Sequence, residues 1–392
     1  ARPAHLAARA APSAHSPARL GGLALAVWVG LLPGLGSAAE LVVAHVGPFS
    51  GPLAENGEQN WIGAKACIAK VNAEGGVNGN TIRLVREDDH YDAAQTQRLV
   101  ELVAQRDKPL AFINLLGSVN VAKLIEQQTF ERLGIAAIGV TPGAEALRKP
   151  GSSHIFHLQA GDQQQIEKIL AHLSTLGLTR LAVAYQENPF GKSGLGFVRE
   201  LAGKYQITLK GEAGVPVGAD DVSAAAAALQ RLQAQVYLMV LAPNSAAALV
   251  RDVRRGGDRT LIYGMSYANT EGILKRAGLE DAAGVALSQV LPNATTANTG
   301  LARSYQADLL KYAPAGTQPS SLSLTGCLAA RTAVEALRRA GPTPTPAAVL
   351  TALRGLRSWE LGGYTLDFSQ GPSSGSSYVD IGVIDRNGRL RY

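Results

Sequence analysis

Short runs rich in Val, Ile, Leu and Ala alternate along most of the chain with longer stretches in which apolar positions recur at helical spacing. The first series runs LVVAHVG (41–47), a helical stretch over 58–74 closed by Glu74-Gly75-Gly76, TIRLVRED from Thr81, and a helix over 93–105. LAFIN from Leu110, a helix over 120–132 and IAAIGV from Ile135 complete it. Parallel strands need a crossover long enough to hold a helix, so this order predicts a parallel sheet with helices on both faces. A second series starts after His157, with a helix over 163–176, LAVAYQ, a helix over 191–204 and QITLKGEAG. An Ala-rich helix over 221–233, VYLMVL, a helix over 244–255 and TLIYG follow. Beyond GVALSQVLP come helices over 300–312, 321–340 and 345–355, then the β-like pieces LGGYTLDF and YVDIGVIDRNGRL. Two βα series in one chain predict an α/β protein of two lobes.

Composition narrows this picture. With 392 residues, 46% of them hydrophobic and only 17% charged, the chain can bury a large core and is no disordered polyelectrolyte. The formal charge of +6 overstates its basicity, because Arg2, Arg9 and Arg19 lie in an acid-free stretch before Glu40 and no Lys/Arg run follows. Nucleic acid is therefore not an expected partner. The same stretch has a basic start, the apolar run LGGLALAVWVGLLPGLG and the small residues Ser37-Ala38-Ala39, the order of a secretory signal peptide. Residues 1–39 are expected to be removed on export and the mature chain to be periplasmic. Cys67 and Cys327 each fall in a helical pattern. An oxidising compartment permits a bridge, but two buried free thiols are the favoured reading.

In open α/β sheets ligands bind in the crevice beyond the carboxyl ends of the strands. Here those loops are 48–57, 114–120, 141–145, 186–193, 242–245 and 265–269, rich in Gly, Ser, Asn and Pro and poor in ionisable groups. They suit hydrogen bonding more than proton transfer. Gly371-Pro372-Ser373-Ser374-Gly375 matches the Gly-x-Ser-x-Gly pattern, yet a strand follows where a nucleophile elbow needs a helix. Gly191-Lys192-Ser193 ends like a phosphate loop, but Gln186 stands where its first glycine belongs. His154 with His157, and Asp88, Asp89, His90 and Asp92, lack further ligands at metal spacing and read as solvated turns. No enzyme and no cofactor is expected.

HVGPFSGPLAENGEQNWIGAKACIAKVNAEGGVNG, REDDHYDAAQT, GVTPGAEALR and YQENPFGKSGL, in that order, resemble the branched-chain amino acid binding proteins, type I periplasmic receptors of ABC importers. The resemblance spans nearly all of 40–392. It implies two Rossmann-like lobes joined by a three-segment hinge near 157–160, 287–292 and 369–376, with 40–158 and 290–372 in lobe 1 and 159–289 and 373–392 in lobe 2. It also implies a monomeric receptor that closes on a small-molecule ligand and delivers it to a permease and ATPase. A sensory ligand-binding module of the same fold is the alternative.

The resemblance carries over binding positions one at a time. Ser118 matches a serine whose hydroxyl and N–H hold the ligand carboxylate, and Thr141 and Gly143 match a loop offering backbone groups to the same end. A loop that leads into a helix N-terminus suits an anion. Phe190 matches an aromatic cover from the second lobe. Asn56 and Ala242 stand where relatives have Tyr, and Met265, beside Ser266 and Tyr267, stands where relatives place the acid that pairs with the ligand ammonium. A desolvated ammonium without a carboxylate costs several kcal/mol, which favours an organic or aromatic acid, with Phe190, Tyr267 or Tyr263 as stacking surfaces. Glu55, Glu145 and Glu187 lie in or beside these loops, and any of them could restore an amino acid or amide ligand.

Overall fold

The computed structural model describes residues 39–51 and 53–392. The expected signal peptide lies outside them, apart from Ala39. In the first lobe β1 (Glu40–Gly47), α1 (Ala54–Ala73), β2 (Thr81–Asp88), α2 (Ala93–Arg106) and β3 (Ala111–Leu115) alternate as expected. The single helix predicted over 120–132 is two, α3 (Ser118–Glu126) and α4 (Thr129–Leu133), because Gln128 takes a left-handed conformation between them. Next come β4 (Ala136–Val140) and β5 (Ile155–Phe156). These strands form one parallel sheet in the order β2-β1-β3-β4-β5.

The second sheet is built from α5 (Asp162–Thr175), β6 (Arg180–Gln186), α6 (Pro189–Ala202), β7 (Thr208–Val215), α7 (Ser223–Arg231), β8 (Val236–Val240), α8 (Pro243–Arg255) and β9 (Leu261–Gly264). Two short helices, α9 (Thr270–Ala277) and α10 (Leu279–Ala282), precede β10 (Ala286–Gln289). Neither carries enough turns to show a periodic pattern. The legible mark of α9 is its cap, Asn269, whose side chain accepts from the Gly272 N–H at 2.6 Å. The chain then returns to the first lobe with α11 (Gly300–Tyr312), α12 (Ser321–Ala340), α13 (Pro346–Arg354) and a small hairpin of β11 (Trp359–Glu360) and β12 (Thr365–Leu366). It ends in the second sheet with β13 (Asp380–Ile384) and β14 (Leu390–Arg391), giving the order β14-β13-β10-β9-β8-β6-β7.

Strand side chains alternate between faces, which is why each sheet has two apolar layers. Val43 packs under α1, α11 and α12, whereas its neighbour Ala44 packs under α2 and α3. In the second sheet Leu238 faces α5 and α6, and Met239 faces α7, α8 and α9. The chain passes between the sheets three times, over 157–161, 290–299 and 367–379.

Two expectations fail here. Cys67 and Cys327 are not free thiols: a disulfide joins them, with Cα atoms 5.5 Å apart, on the facing sides of α1 and α12. The helices come this close because Gly63 and Gly326 lie at the contact, where an added Cβ would collide with the backbone of Ser323 and Asn60. With both sulfurs bridged, the group Cys67, Asp308 and Cys327 offers no thiolate to a metal. His157 and Asp89 are not solvated turn residues either. Each is only 1% exposed, and Asp89 accepts from Thr96 Oγ1 at 2.6 Å. His90 does sit in an exposed turn, bonded to Ser50. Gly191 to Ser193 lie in the first turns of α6 behind an Asn188 cap, and the Gly371–Gly375 segment is a loop.

Candidate ligand-binding site

A cavity of about 320 Å³ opens between the two sheets at the carboxyl ends of their strands. Its floor is the crossover segments, through Gln159, Ala160 and Gln289 to Leu291. Lobe 1 contributes Ser118, Thr141 and Gly143 from loops after β3 and β4, Asn56 from the first turn of α1, and apolar Leu53, Leu116 and Leu322. Lobe 2 contributes Phe190, Ala242, Tyr267, Asn188 and Gln165.

Seven of the eight residues singled out in the sequence therefore line one cavity. Ser118 opens α3 behind Gly117, whose positive φ of 92° turns the chain from strand to helix, and both residues line the cavity at the helix N-terminus, where the first N–H groups lack intrahelical partners. Thr141 plays a different part from the one expected. Its N–H is spent on the Leu115 carbonyl at 3.1 Å, while its Oγ1 is buried without a hydrogen-bond partner. The Gly143 N–H is also taken, donating to the Tyr267 hydroxyl at 2.9 Å. Phe190 and Tyr267 stand edge to face, centroids 5.4 Å apart, and wall the lobe 2 side.

Met265 is the exception. It is fully buried in the core between β9 and the α5–α6 layer and is not part of the cavity wall. Tyr263 is buried in the same layer and faces His172, so it offers no stacking surface to a ligand. Both side chains are taken up by the apolar layer between the second sheet and the helices α5 and α6. None of the three candidate acids lines the cavity. Glu187 leans on Gly214 in β7, Glu145 reaches toward Gly161, and Glu55 points to solvent.

The acid in the wall is Asp162, at the first position of α5. It is the sole Asp, Glu, Lys or Arg among the described lining residues. Its Oδ1 accepts from the Tyr267 hydroxyl at 2.6 Å, and its N–H donates to the Gly143 carbonyl at 3.0 Å. Its other oxygen takes no donor among the described residues. Burial pushes its pKa up to about 6, against the Tyr267 hydrogen bond and the nearby Arg148 guanidinium, which favour the charged form. Burial and the Asp162 charge hold the Tyr267 phenol well above its ordinary range, so it remains a proton donor. Sequence reasoning passed over Asp162 because it falls in a helix N-terminus beside a crossover, outside the strand-end loops. The Gly161-Asp162 step into that helix was its available signal.

A family model described as "Periplasmic binding protein" matches residues 40–388. An "Amino acid binding protein" of Pseudomonas aeruginosa is 29% identical over 61% of this chain. The chain spans 64% of that relative's length, just under two thirds. A crystal structure of an "extracellular ligand-binding receptor" from Verminephrobacter eiseniae superposes with a TM-score of 0.83 at 32% identity, covering 90% of this chain and all of that one. A "substrate-binding periplasmic protein" from Ralstonia solanacearum gives 0.82 at 30% identity, over 89% of this chain and 99% of that one.

Proposed function

Because the chain belongs to the periplasmic binding protein family, we propose that it is the periplasmic receptor of an ABC importer and captures a small amino acid between its lobes. Asp162 carries the ligand assignment. A buried carboxylate with one unshared oxygen, in a wall free of Lys and Arg among the described residues, suits a ligand ammonium. The ligand carboxylate belongs at the opposite polar end, at Ser118 and the N-terminus of α3, with the unpartnered Thr141 hydroxyl beside it. Leu53, Leu116 and Leu322 leave an apolar surface for the ligand body.

The preference for acids without an ammonium rested on Met265 as the missing counter-charge, together with the Tyr side chains absent at Asn56 and Ala242. Asn56 and Ala242 do line the cavity, but with Met265 in the core and Asp162 in the wall a counter-charge is present. The names of the Pseudomonas relative above and of the 25% identical "Leu/Ile/Val-binding protein" of Escherichia coli support the amino acid reading. A thermal-shift screen over amino acids, amides and organic acids tests the reading, because a ligand bound only to the folded state raises the Tm. Competition between leucine and its deaminated analogue 4-methylpentanoate then isolates the ammonium. The amino acid is expected to bind at least tenfold tighter, about 1.4 kcal/mol. Equal or weaker binding of leucine overturns the role given to Asp162.

A further inference from the structure

Gly143 meets the second lobe twice: its carbonyl accepts from the Asp162 N–H at 3.0 Å, and its N–H donates to the Tyr267 hydroxyl at 2.9 Å. Tyr267 lies in the loop after β9 and Gly143 in the loop after β4, so this second bond spans the cleft between the sheets. The same hydroxyl donates its proton to Asp162 Oδ1 at 2.6 Å. A phenol has one proton to give and lone pairs to receive, and here both functions are used. Close approach depends on glycine. A Cβ at position 143 would come within 2.5 Å of the Tyr267 oxygen and 2.6 Å of Asp162 Oδ1.

We propose that Tyr267 is a specificity-determining latch, whose hydroxyl holds the lobes together without a ligand and occupies the Gly143 N–H that an incoming hydrogen-bond acceptor of a ligand would use. The proposal rests on the receptor reading and deepens it. A ligand that takes the Gly143 N–H must first displace the hydroxyl, whereas one held only at Ser118 and Thr141 leaves the latch shut. The Tyr267 to Asp162 bond persists in either state, so it does not contribute to the choice. Latched molecules are closed to any ligand that needs the Gly143 N–H. Apparent affinity for a displacing ligand is therefore reduced by the latched fraction, and removing the hydroxyl relieves that reduction.

The test needs no identified ligand, so its failure is separable from failure of the receptor reading. Full-length protein freed of small molecules is compared with Tyr267→Phe and with Gly143→Ala, which pries the same contact apart from the other lobe. Small-angle scattering reads compactness, and hydrogen exchange reads the Gly143 amide in wild type and Tyr267→Phe. Both variants are expected to have a larger radius of gyration than wild type. In Tyr267→Phe the Gly143 amide should exchange about fivefold faster, the loss expected for one neutral hydrogen bond. Circular dichroism identifies a variant that fails to fold, and the remaining variant then decides. An unchanged radius in a folded variant, or unchanged Gly143 exchange in Tyr267→Phe, overturns the latch and leaves the receptor reading standing.

Discussion

The hydroxyl of Tyr364, in the β11–β12 hairpin, donates to the carbonyl oxygen of Leu158 at 2.6 Å, with the Val290 carbonyl sharing that proton at 3.3 Å. One buried side chain of the first lobe thus reaches two of the three crossovers. Arg148 does the same for another pair, donating to the Gln159 carbonyl at 2.9 Å and to the Ser373 carbonyl at 2.6 Å. All three segments that connect the two sheets are thus tied to two side chains of a single lobe.

Tyr364→Phe keeps the ring in its buried site but strands the Leu158 carbonyl. The expected loss is about 1 to 3 kcal/mol, the cost of an unsatisfied buried acceptor. Urea unfolding of variant and wild type measures it. Equal midpoints and slopes would show that Leu158 finds water instead.

Ser118→Ala removes a hydroxyl from the carboxylate end of the cavity. Binding of the best amino acid from the screen should weaken by about 1.5 to 3 kcal/mol, the range for a hydrogen bond to a charged group. Titration calorimetry decides it. Unchanged affinity with an intact fold would move the carboxylate away from the N-terminus of α3.

Acid should destabilise the protein, and the sign follows from its buried groups. His45 and His157 are held down to about 3 by burial first, then by Arg86 and Arg148 respectively. Unfolded, they take protons near 6.5, so their stabilising effect is present above that pH and is lost as pH falls. Asp162 acts oppositely. Raised to about 6, it favours the folded state below its unfolded value of 3.8, and that contribution is lost as pH rises through 6. Two histidines outweigh one carboxyl, so stability should drop below about pH 6.5. Asp162→Asn removes only the opposing gain. It should be more stable than wild type at pH 7 by up to about 3 kcal/mol and should lose stability more steeply in acid. Melts from pH 4 to 7 check this, and a less stable variant at pH 7 would mean that Tyr267 and Arg148 more than offset the burial of the charge.

The Cys67–Cys327 bridge closes a loop of 260 residues. Replacing both by Ser should lower stability by roughly 2 to 5 kcal/mol, chiefly by freeing the unfolded chain. Thermal melts of the double variant and of reduced wild type should agree. A variant as stable as the oxidised protein would assign the α1–α12 contact to packing alone.

The alternation of apolar runs and helical spacing in the sequence determined the α/β order, because both periodicities are local properties of the backbone. Loops at strand ends followed from that order, and the resemblance to the binding proteins, not the periodicity, singled out Ser118, Thr141, Gly143, Phe190 and Tyr267 within them. What tertiary structure decided were relations between distant residues. Whether Met265 faced the cleft depended on how the loop after β9 packed, and that loop turns its side chain into the layer under α5 and α6. Asp162 became the acid in the wall only when α5 was set against the loops holding Gly143 and Tyr267. The disulfide likewise required Gly63 and Gly326, far apart in the chain, to bring two helices into contact.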